Sequence, residues 1–390
     1  MTKKEKKFNF FTKGSSDYAL FIITMLLLAL GIIMVLSASA PASLAEEDNS
    51  YKYLQKQVQA AVLGLAAMMV LSKIDYRIYR KLKWLIYIVV LVLLLLVIPF
   101  GMSEGGAKRW IRIFGFNFQP SEVAKIGLII FYASLLSDIK EKNKIKDIRY
   151  GCWLPLAFLL PIVGIIYGLQ NHFSATFLIC AITAVQMFIA GTRISHFVVT
   201  GVIAAPVAYG GYELYKAYKN SGVETAVETQ GFRSTRIQTW LDPFSDPKGT
   251  GWQIVQSFYA IASGGLFGLG LGQSKQKYLY LPEPHNDFIF SVIAEELGFF
   301  GCILVISLFV LFIWRGIIVA MRAQDNFGCL IAIGIVTMIG LQAIINIAVV
   351  TGTIPVTGMP LPFFSYGGTA LIINLASVGV LLNVSRSGNK

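Results

Sequence analysis

The strongest constraint on this chain is the length of its stretches without charge. From Tyr150 to Thr192, and again from Asn326 to Ser385, there is no Asp, Glu, Lys or Arg. A soluble domain does not tolerate such runs, because its elements must present polar residues to water every few positions. A bilayer removes that demand, and about 20 apolar residues then cross its hydrocarbon core as one helix. Of the 390 residues only 14% are charged and 55% are hydrophobic, against roughly 25% charged in ordinary soluble domains. A cytosolic enzyme is excluded on that ground.

Breaks within the apolar runs divide them into ten expected spans. These are 18–39, 55–72, 84–101, 119–137, two within 150–192 parted at Gln170-Asn171-His172, 194–215, 287–314, and two within 326–385 parted at 351–368. The expected fold is an all-α polytopic membrane protein of about ten transmembrane helices. A basic tail covers 1–17, the transmembrane domain 18–385, and a short second tail 386–390. The first apolar stretch is longer than the 7–15 residues or so of a signal-peptide h-region, so it is read as a span.

The net charge is +12, from 33 Lys+Arg against 21 Asp+Glu. Most of the basic residues fall in the N-terminal tail, in the 73–83 and 139–149 loops, and near Arg193, Arg315, Arg322 and Arg386. In a ten-span order those segments share one side, which the positive-inside rule makes cytoplasmic, together with both termini. They are orientation signals rather than a nucleic-acid surface, since Arg is not interleaved with aromatics as a base-stacking platform requires.

The largest loop, 216–286 between spans seven and eight, then lies outside. Its uncharged part, Gly249–Ser274, is too rich in Gly and Gln for a lipid-facing helix. Cys152, Cys180, Cys302 and Cys329 all sit in apolar segments and read as small hydrophobes, and three His give little material for a His/Cys metal site.

Four polar clusters remain. Glu122 and Lys125 are three apart on a span, a spacing that lets them pair, either as a structural ion pair or as the lining of a polar cavity. Glu283, His285 and Asp287 follow two prolines at the mouth of span eight, with Glu295 and Glu296 deeper. Asp287 reads as a helix N-cap or as a carboxylate tuned to take a proton. Arg109, Arg112, Arg233, Arg236 and Lys277 are cations on the external side, suited to phosphate groups of a ligand or to anionic lipid in general. Gly358–Gly368, which holds Ser365, is too rich in Pro and Gly for a helix and must be an external or re-entrant loop. Gly268-Leu-Gly-Leu-Gly272 has no strand–helix unit around it and is not a dinucleotide fingerprint.

Taken together, several stretches resemble the SEDS family, the group of FtsW, RodA and SpoVE. They are Arg109-Trp-Ile, Gln119-Pro-Ser-Glu-Val-Ala-Lys125, Gly191-Thr-Arg-Ile-Ser195, Ile237–Gln253, Ser263–Gly272, Tyr280–Phe290, Glu295-Glu-Leu-Gly298 and Pro360–Gly368. The Pro-Glu-Pro-His-Asn-Asp run looks most like the FtsW/SpoVE branch. The resemblance implies a peptidoglycan glycosyltransferase that polymerises lipid II at the external membrane face. It also implies a class B penicillin-binding protein and other division or sporulation membrane proteins as partners. The location would be the bacterial cell membrane, at the division septum or the forespore membrane.

The resemblance puts the essential carboxylate on Asp287, with a divalent ion (Mg or Mn) as an accompanying expectation and no organic cofactor. It puts a buried pair on Glu122 and Lys125; the polar clusters themselves make Arg109, Arg112, Arg233, Arg236, Lys277, Glu283, His285 and Ser365 candidates for substrate binding. One departure concerns the hairpin between spans five and six. Relatives often carry a Pro-Asp-Leu-Gly-Thr type sequence there, and the run Gln170–Thr176 lacks the acid, so no catalytic role is assigned to it. Two other readings stay open at this point: a lipid flippase or transporter, disfavoured by the absence of internal repeats, and a scaffold that recruits a transpeptidase.

Overall fold

The structure, a computed structural model, describes residues 15–47, 49–104, 107–113, 116–202, 236–278 and 280–388. Among the described residues, eight helical segments are long and apolar enough to cross a membrane. They are carried by α1 (Tyr18–Glu47), α2 (Lys52–Leu71), α4 (Lys83–Phe100), the segment Arg149–Leu169 built around α6 (Leu154–Val163), α7 (Phe173–Ala190), α11 (Ile289–Met321), α12 (Asn326–Val350) and α13 (Gly368–Gly388). A short α3 (Arg77–Lys81) precedes α4. Two of the ten expected spans fall outside the eight. One is α5 (Pro120–Glu141). The other begins as a helix over 194–202 (α8), beyond which the described residues stop until 236.

The position of α5 explains its weaker apolarity. It is buried almost along its whole length, so it is solvated by protein rather than lipid and can carry Ser, Glu and Lys. Burial sorts the other helices in the same way. The apolar window of α12 is 72% buried, whereas that of α4 is 22% buried and meets lipid. A helix of the second kind must be apolar on its outer face, which is why Lys83–Phe100 holds only aliphatic and aromatic residues after its first turn, save Pro99.

The two ends of the bundle differ in kind. At one end Asp17 pairs with Arg315 (2.5 Å) and its backbone N–H donates to Ser385 Oγ (3.0 Å). Arg386 meets Ser16, Arg77 meets Asp325, and Arg80 joins Asp138 to Glu141 there. The beginning of α1 and the end of α13 are thus neighbours, as an even number of spans requires.

The opposite end is built from irregular segments. Between α4 and α5, where the sequence predicts no span, the described residues form a three-stranded antiparallel sheet of β1 (Met102–Glu104), β2 (Ala107–Ile113) and β3 (Phe116–Phe118). Thr369 Oγ1 at the start of α13 donates to Asn117 O (2.8 Å) and ties this sheet down. Within 236–286 there is a short helix over 236–241 (α9) and a packed helix α10 (Trp252–Gly264). At about 1.5 Å per residue, the 13 residues of α10 are too short to span. The helix leans on α11 and α12 instead, with Ser257 Oγ within 2.8 Å of both Ser291 Oγ and Val350 O.

Candidate active site

Asp287 stands two residues before α11, whose N-cap position is Phe288. It therefore does not cap the helix, the bland alternative for an acid in this place. Its main-chain carbonyl accepts from Asn346 Nδ2 (2.7 Å), which also donates to Met359 O (2.7 Å). One buried amide of α12 thus holds the acid's backbone and the 351–368 loop in fixed relation. The loop passes directly over the carboxyl group: a Cβ built on Gly358 would lie 3.4 Å from Asp287 Oδ2. Gly358 has φ +69°, a left-handed conformation that glycine adopts without strain.

Among the described residues nothing donates a hydrogen bond to this carboxylate. Burial, followed by the charge of Glu283, pushes its pKa up to about 6, and Arg236 opposes the shift. The half-buried Asp287 is consequently a carboxylate that holds a proton more readily than a solvated one.

Arg236, at the start of α9, donates to Val356 O (3.2 Å) and so lies under the same loop. Trp240, one turn further on, donates to Gly352 O (2.9 Å). Arg109 comes from β2 and grips the 170–172 hairpin, donating to Gln170 O (3.4 Å) and Asn171 O (2.7 Å). Burial lowers both guanidinium pKa values, and Arg236 lowers that of Arg109 further. Two like charges held close and poorly hydrated make a place where an anion is stabilised.

Arg112 is three residues from Arg109 on the same strand and therefore points to the opposite face. It is exposed, in register with Asn117. Grouping it with Arg109 does not survive the strand geometry. Arg233 lies outside the described residues.

The pair Glu122–Lys125 closes at 2.7 Å with side chains 5% and 3% exposed. Pro120 occupies the first turn of α5, as its fixed φ favours, and neither Gln119 nor Ser121 caps the helix through its side chain. Ser121 instead reaches His172 Nδ1 (3.5 Å) in the hairpin. Burial first, then Arg109 and Lys125, push His172 down to about 3, so this imidazole is neutral. Sequence reasoning gave the hairpin no role, and the structure puts it between Arg109 and the ion pair. The signal available was a lone polar trio, Gln170-Asn171-His172, inside an uncharged run.

The remaining candidates separate into a rim and a frame. Glu283 is exposed with φ +50°; it accepts from Asn286 Nδ2 (2.6 Å) and lies 3.8 Å from His285 Nε2. His285 is buried against Tyr53, with ring centroids 4.5 Å apart, and against Tyr366 at 5.7 Å. Ser365 is structural: its Oγ donates to Asn286 O and accepts from Leu361 N–H, both at 2.7 Å. Lys277 is not at the rim. Its side chain is 3% exposed and its ammonium is bound to Glu296 at 2.8 Å, so the expected contact with a ligand phosphate gives way to an internal ion pair.

A family model described as "Cell cycle protein", for FtsW, RodA and SpoVE, matches residues 18–390. The chain is similar to stage V sporulation protein E of Bacillus subtilis (strain 168), 43% identical over 382 residues covering 96% of this chain and 98% of that one. It is 40% identical over 371 residues to a probable peptidoglycan glycosyltransferase FtsW of Geobacter sp. (strain M18), covering 95% and 96% of the two chains. Among solved structures it superposes on a chain of a peptidoglycan synthase complex that couples polymerisation to crosslinking. That match has a TM-score of 0.76 and 30% identity, over 96% of this chain and 99% of that one.

Proposed function

The chain belongs to the FtsW/RodA/SpoVE family, and from that premise we propose that it is a peptidoglycan glycosyltransferase that polymerises lipid II at the external membrane face. The observation that carries the chemistry is the juxtaposition of one carboxylate with raised proton affinity, Asp287, and two desolvated guanidiniums, Arg236 and Arg109.

In the proposed reaction the sugar 4-hydroxyl of the acceptor attacks the anomeric carbon of the donor. Asp287 accepts the hydroxyl proton, the new glycosidic bond forms, and the bond to undecaprenyl diphosphate breaks. Arg109 and Arg236 take up the charge that develops on the departing diphosphate. The lipid tails stay in the bilayer while the sugars meet water, which suits a site at the mouth of a bundle. Asp287 and the nearby Glu283 fit a hydrated Mg or Mn ion, because such ions need only one or two carboxylates plus substrate phosphates. A bound ion would supply charge neutralisation at the diphosphate.

The proposed partner is a class B penicillin-binding protein that crosslinks the new strand, and the proposed setting is the division septum or the forespore membrane. The likeness to a chain from a synthase complex supports the partner. The test is polymerisation of lipid II by the purified protein, with Asp287→Ala alongside. Long glycan from the wild type and none from the variant is expected. Lipid II crossing liposome membranes with no polymer formed would overturn the reading in favour of a flippase.

A further inference from the structure

Behind the site, α11 is broken. Gly298 has φ +67° and ψ −165° inside the helix, and the glycine-rich segment after α10 fills the gap with its own backbone. Leu269 and Gly270 N–H donate to the carbonyls of Glu295 and Glu296 (2.9 and 3.0 Å), and Phe299 and Phe300 N–H donate to those of Gly265 and Leu266 (2.9 and 3.2 Å). A side chain at Gly298 would collide with Gly268 N, 2.3 Å from its Cβ.

The two acids above the break then secure the next stretch of chain. Glu295 accepts from Ser274 Oγ, from Lys275 N–H (2.9 Å) and from Gln276 N–H (3.3 Å). Glu296 is fully buried and takes the ammonium of Lys277 at 2.8 Å. Ser37 of α1 completes the set: its Oγ donates to both oxygens of Glu296 (2.6 and 2.7 Å) and accepts from Lys277 Nζ (3.1 Å).

Segment 274–287, described save for residue 279, is therefore held at its start by Glu295 and Glu296 of α11 and ends at Asp287, two residues before that same helix begins. Its path is stiffened by Leu281 N–H bonding to Gln276 O (2.8 Å), by Trp252 Nε1 bonding to Tyr280 O (2.7 Å), and by Pro282 and Pro284. It is a closed loop whose base is a buried charge network and whose tip is the site.

We propose that Lys277, Glu296 and Ser37 are positioning residues for Asp287, fixing the loop that presents the carboxylate and making its placement depend on α1. The inference rests on the polymerase reading for its kinetic consequence but not for its structural one. A buried ion pair is not needed for folding as such, since a well-packed apolar pair often replaces one without loss of stability.

The experiment compares wild type with Lys277→Met/Glu296→Met, Lys277→Glu/Glu296→Lys and Ser37→Ala. In the apolar double variant, amides of 274–287 should exchange hydrogen about tenfold faster or more, with the thermal midpoint little changed. Its kcat for lipid II should fall about 10- to 100-fold, the scale of a slightly misplaced catalytic group, while KM stays within about twofold. The reversed pair should recover part of kcat. Unchanged exchange and unchanged kcat in a folded double variant would overturn the proposal. If that variant fails to insert, Ser37→Ala decides. It keeps the ion pair and frees it from α1, and a kcat fall of about threefold with faster exchange is expected, whereas wild-type values for both overturn the proposal. A wild-type protein that makes no polymer would defeat the polymerase reading and leave the exchange result standing.

Discussion

At the scale of single residues the proposed reaction turns on Asp287 and its surroundings. Its raised proton affinity makes two opposite demands. As a base it must be ionised, so polymerisation should fall as pH drops through about 6, and a pH–rate profile of the wild type checks this. For stability the sign reverses. A carboxyl whose pKa is higher folded than unfolded binds more protons in the folded state. Folding is then favoured below this window and weakened as pH rises through it. Asp287→Asn should therefore abolish activity, by at least about 100-fold for loss of a general base, and leave the thermal midpoint at pH 7.5 unchanged or higher.

Glu122 and Lys125 behave otherwise, because the pair is closed and buried. Lys125→Met alone strands a carboxylate and should cost about 3–5 kcal/mol in unfolding experiments. Adding Glu122→Gln should restore most of it. These residues were legible in the sequence because a charge within an apolar run needs a reason. Lys277 and His172 were not. Their partners, Glu296 for one and Ser121, Arg109 and Lys125 for the other, arrive from elements whose meeting no local pattern encodes.

At the scale of elements, the spans followed from hydropathy and the pieces between them did not. The β2 strand shows why. Ala107–Ile113 alternates small or apolar with basic residues over part of its length, a period-two pattern that a loop label conceals. Once it is a strand, Arg109 and Arg112 part company. Arg109→Ala should lower kcat/KM about 10- to 100-fold by removing the proposed donor to the diphosphate, while Arg112→Ala stays within about twofold, and lipid II titrations on both variants test the distinction. The break in α11 was equally hidden: Glu295-Glu-Leu-Gly298 reads as unremarkable helix until the glycine-rich segment is seen to occupy the gap. A loop can be tuned from such a base as well as from its tip. Gly358→Ala, which forces a methyl against Asp287 in a left-handed conformation, should reduce kcat without altering the amount of inserted protein.

At the scale of the molecule, the two faces of the bundle have separate duties. One gathers the ends of α1 and α13 with ion pairs such as Asp17–Arg315, and the other holds every residue proposed for catalysis. In a cysteine-free background, Lys248→Cys should react with a membrane-impermeant maleimide on intact cells, and Lys144→Cys only after permeabilisation. The reverse pattern would invert the topology.

The site also has an unusual provenance along the chain. It draws on Arg109, His172, Arg236, Asp287 and Gly358, and the loop above it packs so tightly on α1 that a Cβ at Gly31 would lie 2.1 Å from Phe363 O. Gly31 and Phe363 lie 332 residues apart, and translation reaches them in that order. A nascent chain that has not yet reached the 351–368 loop therefore lacks part of the pocket, and the site comes together only once that loop has joined α1.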